Sequence, residues 1–185
     1  MIFKETHLKG AFVVELEERQ DARGFFARSY CYREFSEHGL NPRVVQCNVS
    51  HSASRGTLRG MHFQGTPHQE AKLVRCTSGA IYDVIIDLRK DSTTYLQHFG
   101  IRLDAKDRRM LFVPKGFAHG FITLEDNSEV FYQMSEFYAP ECAEGIRWDD
   151  PALQIRWPLE PIVISERDIS YPDFLPEISE KAGKE

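Results

Sequence analysis

The chain has 185 residues, 42% of them apolar, with 12 Gly and 9 Pro, which fits one globular domain with a sizeable core and leaves disorder only for the ends. Its formal net charge of -5 disfavours nucleic-acid binding, which needs a basic surface, but a local basic pocket for an anionic metabolite stays open. There is no basic and apolar leader and no run near the roughly 18 apolar residues that cross a bilayer, so the expectation is a cytoplasmic protein without membrane contact.

Phe3 to Leu16 reads as one or two strands interrupted at Gly10, with an edge role in a sheet. Asp21-Ala22-Arg23-Gly24-Phe25-Phe26 is a turn followed by aromatics, and Tyr32 to His38 has helical composition that stops at Gly39. From Val44 on, short runs of Val, Ile, Phe and Tyr alternate with turn signals: 44–50, 57–64, 72–77, 81–89, 97–103, 110–113, 119–124 and 128–138. About eight strands at roughly 8- to 12-residue spacing, with no helices between them, predict an all-β, jelly-roll barrel with short peripheral helices. The tail from Ala139 is rich in Pro and Asp, with Trp148 and Trp157 expected as covers and residues 177–185 expected to fray. No repeat or linker divides the chain, so residues 1–185 are read as a single domain. Cys31, Cys47, Cys76 and Cys142 form no CxxC and no Cys/His cluster and are expected to be reduced, structural thiols.

The stretch Arg55 to Gln64 organises the chemistry. It places His62 in an apolar, glycine-flanked strand, where period-2 alternation puts Thr57, Arg59, Met61 and Phe63 on one side and Leu58, Gly60, His62 and Gln64 on the other. Gly60 is expected to leave room beside His62 for something other than protein. His62 reads either as a buried core histidine or as a catalytic base.

Pro114 to His119 has the P-x-G-x-x-H shape of a cupin motif, which raises a metal-dependent oxygenase or isomerase using His62, His68, Glu70 and His119. The usual H-x-H is absent, because Gln64 stands two residues after His62 and His68 sits in a Pro-flanked loop. The expectation is therefore no metal and no cofactor. Arg23, Arg59, Lys72 and His119 lie on or beside apolar strands or a Gly-aromatic turn, and cations so placed suggest a bound polyanion such as a pyrophosphate. Tyr132 lies on an inward-reading strand and Asp168 in the tail. Each has a plain alternative, a core tyrosine and a helix or turn cap.

The motifs Asp21-x-Arg23-Gly24-Phe25-Phe26, Gln46-x-Asn48, Ser54 to Gln64, Lys72 to Cys76, Asp83 to Arg89, Pro114 to Phe121, Ile146 to Pro151 and Asp168 resemble those of the dTDP-4-dehydrorhamnose 3,5-epimerase family over about residues 3–172. The resemblance implies a metal-free cupin-type barrel, a homodimer with exchanged N-terminal strands, that inverts carbons flanking a 4-keto group of a nucleotide sugar. It implies His62 as base, Asp168 as its orienting acid, Tyr132 as the acid on the opposite face and Lys72 as the cation at the enolate. Arg23, Phe26, Gln46, Asn48, Arg59, His119, Tyr138 and Arg167 would hold the substrate. The family generally has Glu where this chain has Arg28 and Ala143, and Lys where it has Arg167. The missing Glu residues leave the chemistry intact but leave open another nucleotide or sugar; inversion at C3 or C5 alone is a separate alternative.

Overall fold

The computed structural model describes residues 1–175, so the expected fraying at 177–185 lies outside the described residues. The elements in chain order are β1 (Ile2–Glu5), β2 (Phe12–Glu15), β3 (Arg19–Asp21), β4 (Gly24–Phe26), α1 (Tyr32–Glu37), β5 (Gln46–Ser52), β6 (Leu58–Gln64) and β7 (Lys72–Ser78). They continue with β8 (Ala80–Asp87), β9 (His98–Asp104), β10 (Met110–Val113), β11 (Phe117–Thr123), β12 (Ser128–Met134), β13 (Ala143–Gly145) and α2 (Glu166–Ile169). Helix α1 ends where expected, because Gly39 takes φ +70°, which a glycine adopts without penalty.

Two antiparallel sheets carry the chain: β1-β2-β10-β7-β12-β5 and β13-β6-β11-β8-β9. β3 and β4 form a separate hairpin. This is the two-sheet architecture of a jelly roll. Within the chain, β1 lies at the edge of the first sheet on β2, and β2 pairs with β10.

Alternation along the strands makes three apolar layers. Between the sheets lie Val74, Cys76, Leu111 and Val130 from one side and Ile81, Ile85, Leu103, Phe117 and Phe121 from the other. On the outer face of the first sheet, α1 drops Phe35 onto Val14, Leu73, Met110 and Phe112. On the outer face of the second, the tail lays Trp157, Ile155 and Phe174 over Met61, Val84, Ile86 and Ala118. Trp157 is a cover as expected, fixed by its indole N–H donating to the Trp148 carbonyl at 2.9 Å. Each fully buried aliphatic side chain in these layers contributes about 1.5–3 kcal/mol relative to exposure.

The thiols are less uniformly packed than their neighbours in sequence suggest. Cys76 alone is fully buried, and burial raises its thiol pKa to about 11. Cys47 is exposed on β5, because that strand is a sheet edge whose odd positions face outward.

The strand that positions the site departs from regular alternation. β6 pairs with β11 as His62↔His119 but Arg59↔Phe121, so three residues of β6 span two of β11. This bulge turns both Arg59 and His62 toward the same cavity and drives Met61 into the opposite layer, which corrects the simple period-2 reading. Gly60 is required here for a different reason from the one expected. It has φ +122°, and a Cβ on it would stand 2.6 Å from Gly120 Cα and 2.8 Å from the His119 carbonyl oxygen. What approaches Gly60 is backbone of the neighbouring strand.

Candidate active site

At one end of the space between the sheets the apolar filling stops and a cavity of about 580 Å³ opens. The same strands that build the core line it. β7 contributes Lys72 before Val74 and Cys76 enter the core, and β12 contributes Tyr132 two residues after the buried Val130. Gln46, Asn48, Arg59, His62, Lys72, His119, Tyr132, Tyr138, Arg167 and Asp168 all line this one cavity. Arg23 and Phe26 do not. They stand on the β3–β4 hairpin, Phe26 72% exposed and Arg23 paired with Asp21. Tyr138 lies beyond the end of β12, in a loop held by its N–H donating to Gln46 Oε1 at 3.2 Å.

Asp168 is not the helix cap. Ser165 caps α2 by accepting the Asp168 N–H at 3.1 Å, which leaves the Asp168 carboxylate free to reach β6. There one oxygen sits 2.7 Å from His62 Nε2 and the other accepts the Gly60 N–H at 3.1 Å. Burial opposes its charge, but the bonds from His62 and Gly60 outweigh that and hold the carboxyl below the usual range. An ionised carboxylate only accepts, so Nε2 is the donor, and in the neutral ring the lone pair then lies on Nδ1. The His62 side chain is 42% exposed, so that lone pair can meet a ligand.

Lys72 is buried. Its Nζ lies 2.9 Å from Glu70 Oε1 and donates to the His62 carbonyl at 3.2 Å, so the Lys72 side chain beside His62 is held by a carboxylate and a backbone oxygen. Burial raises the Tyr132 hydroxyl above its usual pKa, against a smaller lowering by Arg59, so Tyr132 is a protonated phenol at neutral pH. Arg59 is anchored by Ser52 Oγ and the His51 carbonyl. Arg167 donates to the Ala143 carbonyl and lies over the Tyr171 ring. Neither guanidinium has a carboxylate within ion-pair distance among the described residues, so both offer charge to an anion.

Two carboxylates make pairings that the sequence analysis does not predict. Asp83 on β8 is fully buried, with an oxygen 2.7 Å from His119 Nε2, close enough for an ion pair but poorly aligned for a hydrogen bond. The signal was available: a lone acid inside the apolar run of β8 needs a partner. Glu70 was read only as a candidate metal ligand, yet it pairs with Lys72. The proposed four-residue metal set is therefore divided, with His62 on Asp168, Glu70 on Lys72, His119 beside Asp83 and His68 in the loop after β6. Of the two positions that depart from the family's Glu, Arg28 pairs with Glu34 of α1 at 2.8 Å, away from the cavity, whereas Ala143 lines it beside Glu144.

A family model for dTDP-4-dehydrorhamnose 3,5-epimerase matches residues 5–175. A dTDP-4-dehydrorhamnose 3,5-epimerase of Methanothermobacter thermautotrophicus is 48% identical over 169 residues, 90% of each chain. The crystal structure of the Bacillus anthracis dTDP-4-dehydrorhamnose 3,5-epimerase with TDP and PPi bound superposes with a TM-score of 0.89 at 43% identity, over 94% of this chain and 99% of that one. A 3'-monoepimerase from Streptomyces bikiniensis in complex with dTDP-quinovose superposes at 0.82 with 32% identity, over 90% and 85%. With matches of this length and identity, the chain belongs to the dTDP-4-dehydrorhamnose 3,5-epimerase family.

Proposed function

We propose that this chain inverts C3 and C5 of a nucleotide-linked 4-keto-6-deoxyhexose, taking dTDP-4-dehydro-6-deoxy-D-glucose to dTDP-4-dehydro-L-rhamnose. The observation that carries the reading is the aligned His62–Asp168 pair facing a cavity that also holds a buried lysine and a protonated phenol. A proton alpha to a ketone is a very weak acid, so its removal at neutral pH needs a base together with a positive charge at the developing enolate oxygen. His62 takes the proton, the electron pair moves onto the carbonyl oxygen, and Lys72 stabilises that charge. Tyr132 then donates its proton to the other face of the same carbon, which completes inversion. Arg59, Arg167 and His119 hold the diphosphate and sugar, with Gln46, Asn48 and Tyr138 as polar contacts.

The exposed β3–β4 hairpin supports a homodimer. Phe26 is 72% exposed and Phe25, under the Arg108 guanidinium, is still 42% exposed, and an aromatic pair beside Arg23 suits the pocket of a second copy. A mass of one chain by light scattering at micromolar concentration would overturn this part. Inversion at one carbon is the second reading, favoured by the likeness to the 3'-monoepimerase.

The deciding experiment is incubation with dTDP-4-keto-6-deoxyglucose in deuterated water containing a chelator. Deuterium at C3 and C5 with epimeric product is the expected result, deuterium at one carbon selects the second reading, and no exchange with this substrate or its UDP, CDP and GDP analogues would sink the assignment.

A further inference from the structure

Outside the catalytic cavity, three unlike metal-ligating groups converge. The ligand atoms of His68, Glu141 and Cys142 all lie within 4.8 Å of one another. His68 belongs to the turn after β6, while Glu141 and Cys142 belong to the single 3₁₀ turn Pro140–Cys142. A tetrahedral zinc ion with ordinary bond lengths spaces its N, O and S ligands about 3.3–3.7 Å apart, so side-chain rotations closing the group by about 1 Å would complete three ligands and leave one position for water.

The backbone already holds the two turns together. Gly65 N–H donates to the Cys142 carbonyl at 2.8 Å, and His68 N–H closes its own turn on the Gly65 carbonyl at 3.0 Å. Buried Gln64 pins both segments, its Nε2 donating to the His68 carbonyl at 2.7 Å and its Oε1 accepting the Ala139 N–H at 2.7 Å. A frame fixed by four backbone or amide bonds removes much of the ordering cost that loose surface ligands incur on binding. The donors are also unspent. Among the described residues no group donates to the Glu141 carboxylate, the His68 ring makes no hydrogen bond, and the Cys142 sulfur has only a 4.0 Å contact to the Thr66 carbonyl.

We infer that His68, Glu141 and Cys142 form a binding site for a borderline divalent transition-metal ion of the zinc type. Imidazole, thiolate and carboxylate together suit zinc rather than magnesium or calcium, which prefer all-oxygen shells. The ion would not take part in proton transfer. It would clamp the segment from Tyr138 to Glu144, three residues of which line the cavity mouth.

The test uses the full reduced chain, stripped with a chelator and titrated with Co²⁺ as a spectroscopic stand-in. One equivalent should bind and give a sulfur-to-cobalt charge-transfer band. Cys142→Ser should abolish that band, His68→Ala and Glu141→Gln should each weaken binding by at least about tenfold, and His62→Ala should change neither. Chelated wild type and Cys142→Ser should epimerise at equal rates, so the result is independent of the catalytic assignment. Absence of a band, a band that survives Cys142→Ser, or binding lost in His62→Ala would each overturn the site.

Discussion

His62 and His119 face each other across the β6–β11 ladder, and each has a carboxylate 2.7 Å from its Nε2. The two pairs nevertheless differ in where the acid comes from and in how much of the ring is left open. Asp168 arrives from α2, 106 residues away, aligned on Nε2 and steadied by the Gly60 N–H, with His62 half-exposed in the cavity. Asp83 comes from the adjacent strand β8, fully buried and off the hydrogen-bond line, with His119 almost wholly enclosed. A ring that is oriented by its acid and open to a ligand can exchange a proton. A ring enclosed with its acid serves as a fixed contact. Under the proposed function, the difference suits the first pair to proton transfer and the second to ligand holding.

The largest effect should come from removing the open ring. His62→Ala is expected to lower solvent deuterium exchange at both carbons by at least the about 10²- to 10⁴-fold of a lost general base, with nucleotide binding by calorimetry retained. A residual rate above a tenth of wild type would break the distinction between the pairs. Tyr132→Phe comes next and separates two steps, because the ring's packing is kept and only the proton donor is lost. Epimer formation should fall by about 10²- to 10⁴-fold while deuterium still washes into unepimerised substrate. Collapse of both together would make Tyr132 part of enolisation.

How much of this contrast could be read in the chain depends on whether each feature is local. The strands were legible because alternation of Val, Ile and Phe is a local pattern, and β10 falls where it was expected, at Met110 to Val113. Others drifted at their ends. β12 stops at Met134, short of Tyr138, where Ser135 Oγ accepts the Ala71 N–H and the chain turns away. β11 begins at Phe117, which places His119 inside the strand rather than at its start. The shared direction of Arg59 and His62 depends on a bulge against Gly120, a two-strand property that no single-strand period contains. Asp168 reaches His62 only through the fold, so its role came from resemblance and not from spacing. The hairpin with Arg23 and Phe26 was legible as a turn, but that it stands away from the cavity is a property of the folded chain.

The third effect is smaller. Asp168→Asn keeps the shape but replaces a charge-assisted bond worth about 1.5–3 kcal/mol, which corresponds to about a 10- to 150-fold fall in turnover with little change in KM. It should also change the acid limb of stability. Asp168's folded pKa lies below its unfolded value of about 3.9, so the stability it contributes is present at neutral pH and is lost as pH falls through about 4 and below. In urea titrations the variant should lose less stability than wild type between about pH 5 and pH 3. Equal acid slopes would show that Asp168 is not held ionised by His62.

Asp83→Asn should have the smallest effect on chemistry, and it tests the comparison from the other side. Asp83 has no aligned hydrogen bond to His119, and asparagine keeps its shape and polarity. The variant should therefore fold with undiminished stability. Its turnover should fall by less than about tenfold, under about 1.4 kcal/mol, while KM rises as His119 loses the acid beside it. This split between KM and kcat is what distinguishes a contact that positions substrate from one that moves a proton. If kcat instead drops as far as in Asp168→Asn, with KM unchanged, then His119 and Asp83 are a second proton-transfer pair. The two faces of the sugar would then be served by two histidines, and the contrast drawn from exposure and alignment would fail.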